Sequence, residues 1–331
     1  MNLLIVVSLL VAAPSADSPS EAPAESVRDA VTRSVPFLER EGQAWIDNRK
    51  CASCHQVPFM VWSLNEAHRA GAEVDLKKLN ETIAWSTDWQ NWSASKNRDE
   101  TKQEQAKSGN IDTMYQLLLG RNYAANEADD SPAEWVETFE TALATRQQED
   151  GSWTACGQLP LQNRPERETN EVSTMWTLLA LHPRSGELPN WNEKLDAAKK
   201  YLQEAQPGQS SEWWALRMMF EQRFGSLETA TELKQELLSK QREDGGWGWL
   251  VEKPSDALGT GIVLFALSHD RQEADAAVES ARQFLLDTQK EDGSWIVPST
   301  LKRANGKVKD TSTYWGTAWA VIGLARTQPT N

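Results

Sequence analysis

A seven-residue pattern, Gln-x-Glu-Asp-Gly-[Ser/Gly]-Trp, constrains this chain more than any other feature. It stands at Gln147 to Trp153, Gln241 to Trp247 and Gln289 to Trp295. The copies begin at 147, 241 and 289, so they lie 94 and 48 residues apart, and the longer gap is close to twice the shorter. One copy is missing between the first two, and Gln206-Pro207-Gly208 with Trp213 stands near its place. The period is then about 47 residues, within the range of helical-hairpin repeats.

Each copy lies between an amphipathic stretch and a more apolar one. In the last unit Ala277, Ala281, Phe284, Leu285 and Thr288 recur at helical spacing, and Asp292-Gly293 supplies the stop, since glycine accepts the left-handed conformation that ends helices. The next stretch, with Trp315, Ala318, Trp319, Val321, Ile322 and Leu324, is apolar on more than one side and predicts a buried helix. The same reading along the chain predicts outer helices near 25–43, 75–89, 131–147, 190–205, 227–241 and 274–289. Their inner partners fall near 54–70, 111–123, 170–181, 211–224, 256–268 and 313–326. The expected fold is all-α, an α/α toroid of about six hairpins, with residues 26–331 as one domain.

The three turns, each leading to an inner helix such as Tyr314-Trp315-Gly316-Thr317-Ala318-Trp319, resemble the QW repeats of the squalene-hopene cyclase and protein prenyltransferase superfamily. The resemblance spans nearly the whole chain after the leader. It implies a scaffold role for Trp153, Trp247 and Trp295, stacked on the turn glutamine and tying outer helices together. The superfamily's chemistry does not follow. A cyclase of this kind protonates an alkene with a DXDD-type cluster, whereas Asp112 and Asp310 are single acids and Asp129-Asp130 reads as a solvated loop. A prenyltransferase needs a late zinc site, and the late repeats hold no cysteine; Cys156 has no metal-ligand spacing around it and reads as an inert thiol.

What the chain does carry is Cys51-Ala52-Ser53-Cys54-His55, with the spacing of a c-type haem attachment site. Two thiols one helical turn apart suit two thioether bonds, and the imidazole that follows suits an axial iron ligand. A zinc half-site would want a second pair of ligands, which Cys156, His68, His182 and His269 do not supply. A redox dithiol would want a βαβ context that this helical sequence lacks. The expected cofactor is one covalent haem c on Cys51, Cys54 and His55.

If the inner helices run parallel, the haem lies where their N-termini gather. The three other histidines then fall at the far ends and read as C-terminal capping groups. Met60 shares the helix of His55 and stays on the proximal side. Met114 is the expected sixth ligand, with Met175 the second choice.

Residues 1–16 have the apolar run, Leu3 to Ala13, and the small-residue step of a secretory signal, followed by a disordered leader at 17–25. These features predict a periplasmic or otherwise extracytoplasmic protein with no integral membrane segment. A formal net charge of −14 excludes nucleic acid as a partner and leaves an unknown, basic redox partner as the expectation. The leading function is therefore an exported cytochrome c-like protein for electron transfer. A haem enzyme or sensor holding an apolar, isoprenoid-like ligand in the toroid is the alternative, and a terpenoid cyclase or prenyltransferase comes third.

Overall fold

Helices with one apolar stripe alternate along this chain with helices that are apolar all round, and the structure sorts them into an outer and an inner layer. A computed structural model describes residues 24–52, 56–92, 110–121, 133–269 and 275–328. Among these the outer helices are α1 (Ala24–Arg49), α3 (Leu76–Thr87), α5 (Glu134–Ala144), α7 (Trp191–Gln203), α9 (Leu227–Ser239) and α11 (Asp275–Thr288). The inner helices are α2 (Gln56–Arg69), α4 (Ile111–Gly120), α6 (Glu166–Leu181), α8 (Ser211–Phe224), α10 (Ala257–Leu267) and α12 (Asp310–Thr327). The signal segment, most of the leader, Asp129-Asp130, and Cys54 and His55 lie outside the described residues.

Burial separates the layers. Every residue of α10 is buried, whereas α9 buries only Ala230, Lys234 and Leu237. The inner helices pack in order, α2 on α4, then α6, α8, α10 and α12, and α12 returns to α2. The ring is closed, as an α/α toroid requires. At one joint the backbones touch, because a Cβ on Gly261 or Gly323 would run into the facing helix's main chain.

The repeated turn does the same work three times. Trp153, Trp247 and Trp295 donate their indole N–H to the carbonyls of Leu143, Leu237 and Leu285, at 2.8, 2.9 and 2.8 Å, and so tie each turn to its own outer helix. Their main-chain N–H groups meet the hydroxyls of Thr174, Thr260 and Thr317 on the following inner helix. The glutamine makes the joint to the next unit. Gln147 donates to the Lys194 carbonyl, Gln241 to that of Ala277, and Gln289 to that of Ala30, at 2.7, 2.8 and 2.8 Å. The amide, rather than the indole, thus links neighbouring outer helices.

Gln206 occupies the equivalent place in the fourth unit, four residues after Leu202, yet the turn there is different. Arg217 of α8, not an indole, donates to the Leu202 carbonyl at 2.7 Å, and Trp213 donates instead to Glu171 at 2.8 Å. Position and period survive while the bonding is replaced.

Two substitutions test the joint that closes the ring. Gly293 has φ +83, and a Cβ there would collide with the Arg33 carbonyl of α1. Gly293→Ala is expected to cost roughly 2 kcal/mol or more, from the left-handed backbone and the clash together. Gln289→Ala removes hydrogen bonds to Ala30, Ser34 and Gly293 and should cost about 1–3 kcal/mol. Urea unfolding with an unchanged m-value checks both; wild-type midpoints would refute the closure role.

Candidate functional site

The segment that begins the haem-type motif is pinned to the second hairpin. Helix α1 runs on to Arg49, beyond the end at 43 that apolar periodicity predicted, because Ile46 continues its packing face. Lys50 then takes a left-handed φ of 49° and turns the chain inward. Cys51 is buried, with its thiol 3.7 Å from the Trp92 carbonyl, and the Ala52 N–H donates to the Asn91 carbonyl at 2.8 Å. Trp92 is held in turn by its indole N–H on the Ser86 carbonyl at 2.7 Å. A turn tryptophan anchored to its outer helix therefore also positions Cys51.

Met114 and Met175 are both fully buried. Met114 stands three residues into α4, one turn from its N-terminus. Met175 stands level with it, since Ser173 and Trp176 of α6 meet Asp112 and Tyr115 of α4. Helix α6 starts at Glu166 rather than at 170, which puts Met175 nine residues in, about 13–14 Å along the axis. Met60 packs its sulfur toward Gly42 and Tyr314, in the joint between α1, α2 and α12.

The far histidines sit as expected, with His68 in the last turn of α2, and His182 and His269 just after α6 and α10. The His269 Nδ1 lies 3.0 Å from the Phe265 carbonyl, a C-terminal capping contact.

The axis of the toroid is filled by aromatic rings. Trp62 of α2 meets Trp319 of α12 at 5.2 Å, Phe265 of α10 at 5.5 Å and Trp176 of α6 at 5.8 Å, and Trp176 stacks on Trp319 at 5.8 Å. Phe59 and Tyr115 extend the cluster. Ring pairs at these spacings add about 0.5–1.5 kcal/mol each beyond area burial.

A second layer, which sequence reading missed, surrounds the N-terminal mouth of the ring. Glu168 accepts from the N–H groups of Gln209 and Ser210 and from the Ser210 hydroxyl. Glu212 accepts from Arg164 at 2.8 Å and from the Trp176 indole at 3.0 Å. In the unit before, Asp112 accepts from the Cys156 thiol at 3.0 Å, the Cys156 N–H at 3.2 Å and the Ser173 hydroxyl at 3.2 Å. Desolvation pushes the Asp112 carboxyl up to about 6 despite these bonds, and burial beside Asp112 pushes the Cys156 thiol well above its ordinary range. Cys156 is thus an unreactive hydrogen-bond donor. Among the described residues Asp112 has no carboxylate bonded to it, so it is not part of an acid cluster of the cyclase type.

Across the same mouth lies the chain from Pro298 to Val308. Pro298 pairs with Val308, the Ser299 N–H donates to the Lys307 carbonyl, and Asn305-Gly306 turns the chain at φ of 49° and 74°. Between this hairpin and the last turns of α1 is a cleft of about 630 Å³.

Asp112 gives a pH prediction. Its folded value lies above the ordinary carboxylate value of 3.8, so its protonated form stabilises the fold below about pH 4, and that contribution is lost as pH rises through about 6. Asp112→Asn should remove this loss and gain up to about 3 kcal/mol at pH 7 relative to pH 4, compared with wild type. Urea unfolding at the two pH values measures the difference, and parallel slopes would show that Asp112 ionises normally.

No known family model matches the sequence. Solved structures do. The type II terpene cyclase MstE from Scytonema, without ligand, is 15% identical and has a TM-score of 0.56, covering 93% of this chain and 99% of that one. A possible member of the GH105 family from Salmonella enterica is 13% identical, with a TM-score of 0.58 and 98% coverage of both chains. A protein from Actinoplanes is 15% identical, with a TM-score of 0.54, covering 91% and 99%. At such identities the likeness is one of fold, and the fold of this chain is the α/α toroid of terpene cyclase-like proteins.

Proposed function

We propose that the chain is an exported cytochrome c-like protein, a redox haem protein rather than a cyclase or transferase, with one haem c attached through Cys51 and Cys54 and ligated by His55. The observation that carries this reading is the intact Cys51-x-x-Cys54-His55 motif, placed where the first outer helix hands over to the first inner one. Cys51 suits a thioether, because its buried sulfur would become an apolar, uncharged group at a site already shielded from water. When bound, the haem supplies one-electron chemistry at iron.

Met114 remains the proposed sixth ligand, on the helix that packs directly against α2, with Met175 the second choice. Extracytoplasmic location rests on the leader segment alone. Among the described residues no helix is long and apolar enough to cross a membrane. A basic redox partner, proposed from the net charge, would dock away from the cationic hairpin at residues 302–309.

Expression in a host with c-type haem attachment tests the reading. Colour should stay on the polypeptide after acid and organic extraction, and intact mass should exceed the processed chain by one haem. Cys51→Ala and Cys54→Ala should each weaken attachment, and Cys156→Ala should not. A colourless protein with stoichiometric zinc would overturn the reading. Met114→Ala should lower the midpoint potential and open a carbon monoxide site, because thioether ligation favours reduced iron. Rapid carbon monoxide binding by the unmutated protein, with no change in the variant, would show that methionine is not the ligand.

A further inference from the structure

The cleft between α1 and the 298–308 hairpin has a charge that runs against the rest of the molecule. From Gly293 to Lys309 the chain contains Lys302, Arg303, Lys307 and Lys309 and no acidic residue, in a protein of net charge −14. Arg303, Lys307 and Lys309 line the cleft from one side and Arg49 from the other. Among the described residues none of these four cations forms an ion pair. The Arg49 guanidinium lies over the Trp45 ring at 5.3 Å, and the Trp45 indole N–H is buried without a hydrogen-bond partner. Leu301 adds an apolar wall. The hairpin that carries the charges is fixed to the mouth of the ring, where the Asn163 N–H donates to the Thr300 carbonyl at 2.7 Å.

Four like charges gathered around one recess repel one another. An anion with oxygen acceptors removes that penalty, and the Trp45 ring and Leu301 favour one whose carboxylates sit on a flat apolar body. We infer that this cleft is a binding site for the carboxylate groups of such a ligand.

Two sources share that chemistry. One is the pair of propionates on a haem attached at Cys51, two residues from Arg49, and this source rests on the function proposed above. The other is a free aromatic polycarboxylate. The position of the cleft at the end of α1 serves either.

The test uses the full chain as purified, with the double variant Arg303→Gln/Lys307→Gln. The double variant Lys199→Gln/Lys200→Gln on α7 serves as a control of equal charge change. Both hairpin residues are exposed, so folding should be retained, which circular dichroism checks. In haem-bearing protein the midpoint potential is followed against pH. If propionates fill the cleft, the inflection of that curve moves upward by about one pH unit in the hairpin variant and stays in place in the control. In parallel, benzene-1,2,4-tricarboxylate is titrated into each protein by calorimetry. If the cleft takes a free ligand, wild type and control bind it with Kd below about 1 mM and the hairpin variant binds at least tenfold more weakly. Colourless protein overturns the haem reading and leaves the titration to decide the cleft. An unmoved inflection together with no tricarboxylate binding, or binding equal in all three proteins, overturns the anion site.

Discussion

A side-chain amide sets the joint at which this molecule closes into a ring rather than an open stack. Gln289, in the last repeat, reaches the Ala30 carbonyl in the first outer helix across 259 residues of sequence, and the Ser34 hydroxyl donates back to the Gly293 carbonyl at 2.8 Å. An open stack of hairpins would need polar capping units at both ends to cover its exposed faces. Here the ends cover each other. Each hydrogen bond is worth only about 1 kcal/mol net, but together they set the register in which α12 lays its apolar surface on α2. The burial that follows is far larger than the bonds that align it.

Gly293, Gly245 and Gly151 show why the motif tolerates little change. All three have φ between +83° and +90°, and each is crossed by the backbone of the next outer helix. The glycine is needed twice over, for its backbone and for its missing Cβ. This explains why the motif is so legible as sequence. It encodes a local conformation and a tertiary contact in the same few residues, so both fold class and repeat number can be read from it. The fourth unit shows the limit. Gln206 keeps its register relative to Leu202, yet the bond to Leu202 comes from Arg217, eleven residues on and a full layer inward. No local pattern records such an exchange.

The same limit explains what was missed at the site. Glu168, Glu171 and Glu212 lie in the first two turns of α6 and α8, whose sequences read as polar at the start. They are buried because the inner helices converge there, and a convergence of six helices belongs to the ring rather than to any one segment. Their placement follows elementary electrostatics once the ring is known, since carboxylates are favoured at helix N-termini by the aligned peptide dipoles and the free N–H groups. The start of α6 shows the same limit on a smaller scale. Helix α6 begins one turn earlier than apolar periodicity suggested, because Glu166 and Arg167 extend it with polar residues that the hydrophobic pattern cannot see.

The closed ring and the filled axis together decide where chemistry can reside. In a toroid whose centre is open, the axis is the sheltered volume and the rim is connection. Here Trp62, Trp176, Phe265 and Trp319 turn the axis into core, so any group that must be both sheltered and reachable has to lie at a mouth. The two mouths are not equivalent. At the C-terminal ends of the inner helices the carbonyl dipoles are met by fixed groups, Arg326 on Glu66 and His269 on the Phe265 carbonyl. At the N-terminal ends the buried carboxylates satisfy the helix termini from within, while the hairpin at 298–308 adds cations from outside. Cys51 follows the end of α1, with its thiol on the Trp92 carbonyl and the Ala52 N–H on that of Asn91. The aromatic axis supplies the rigidity that holds both mouths in place.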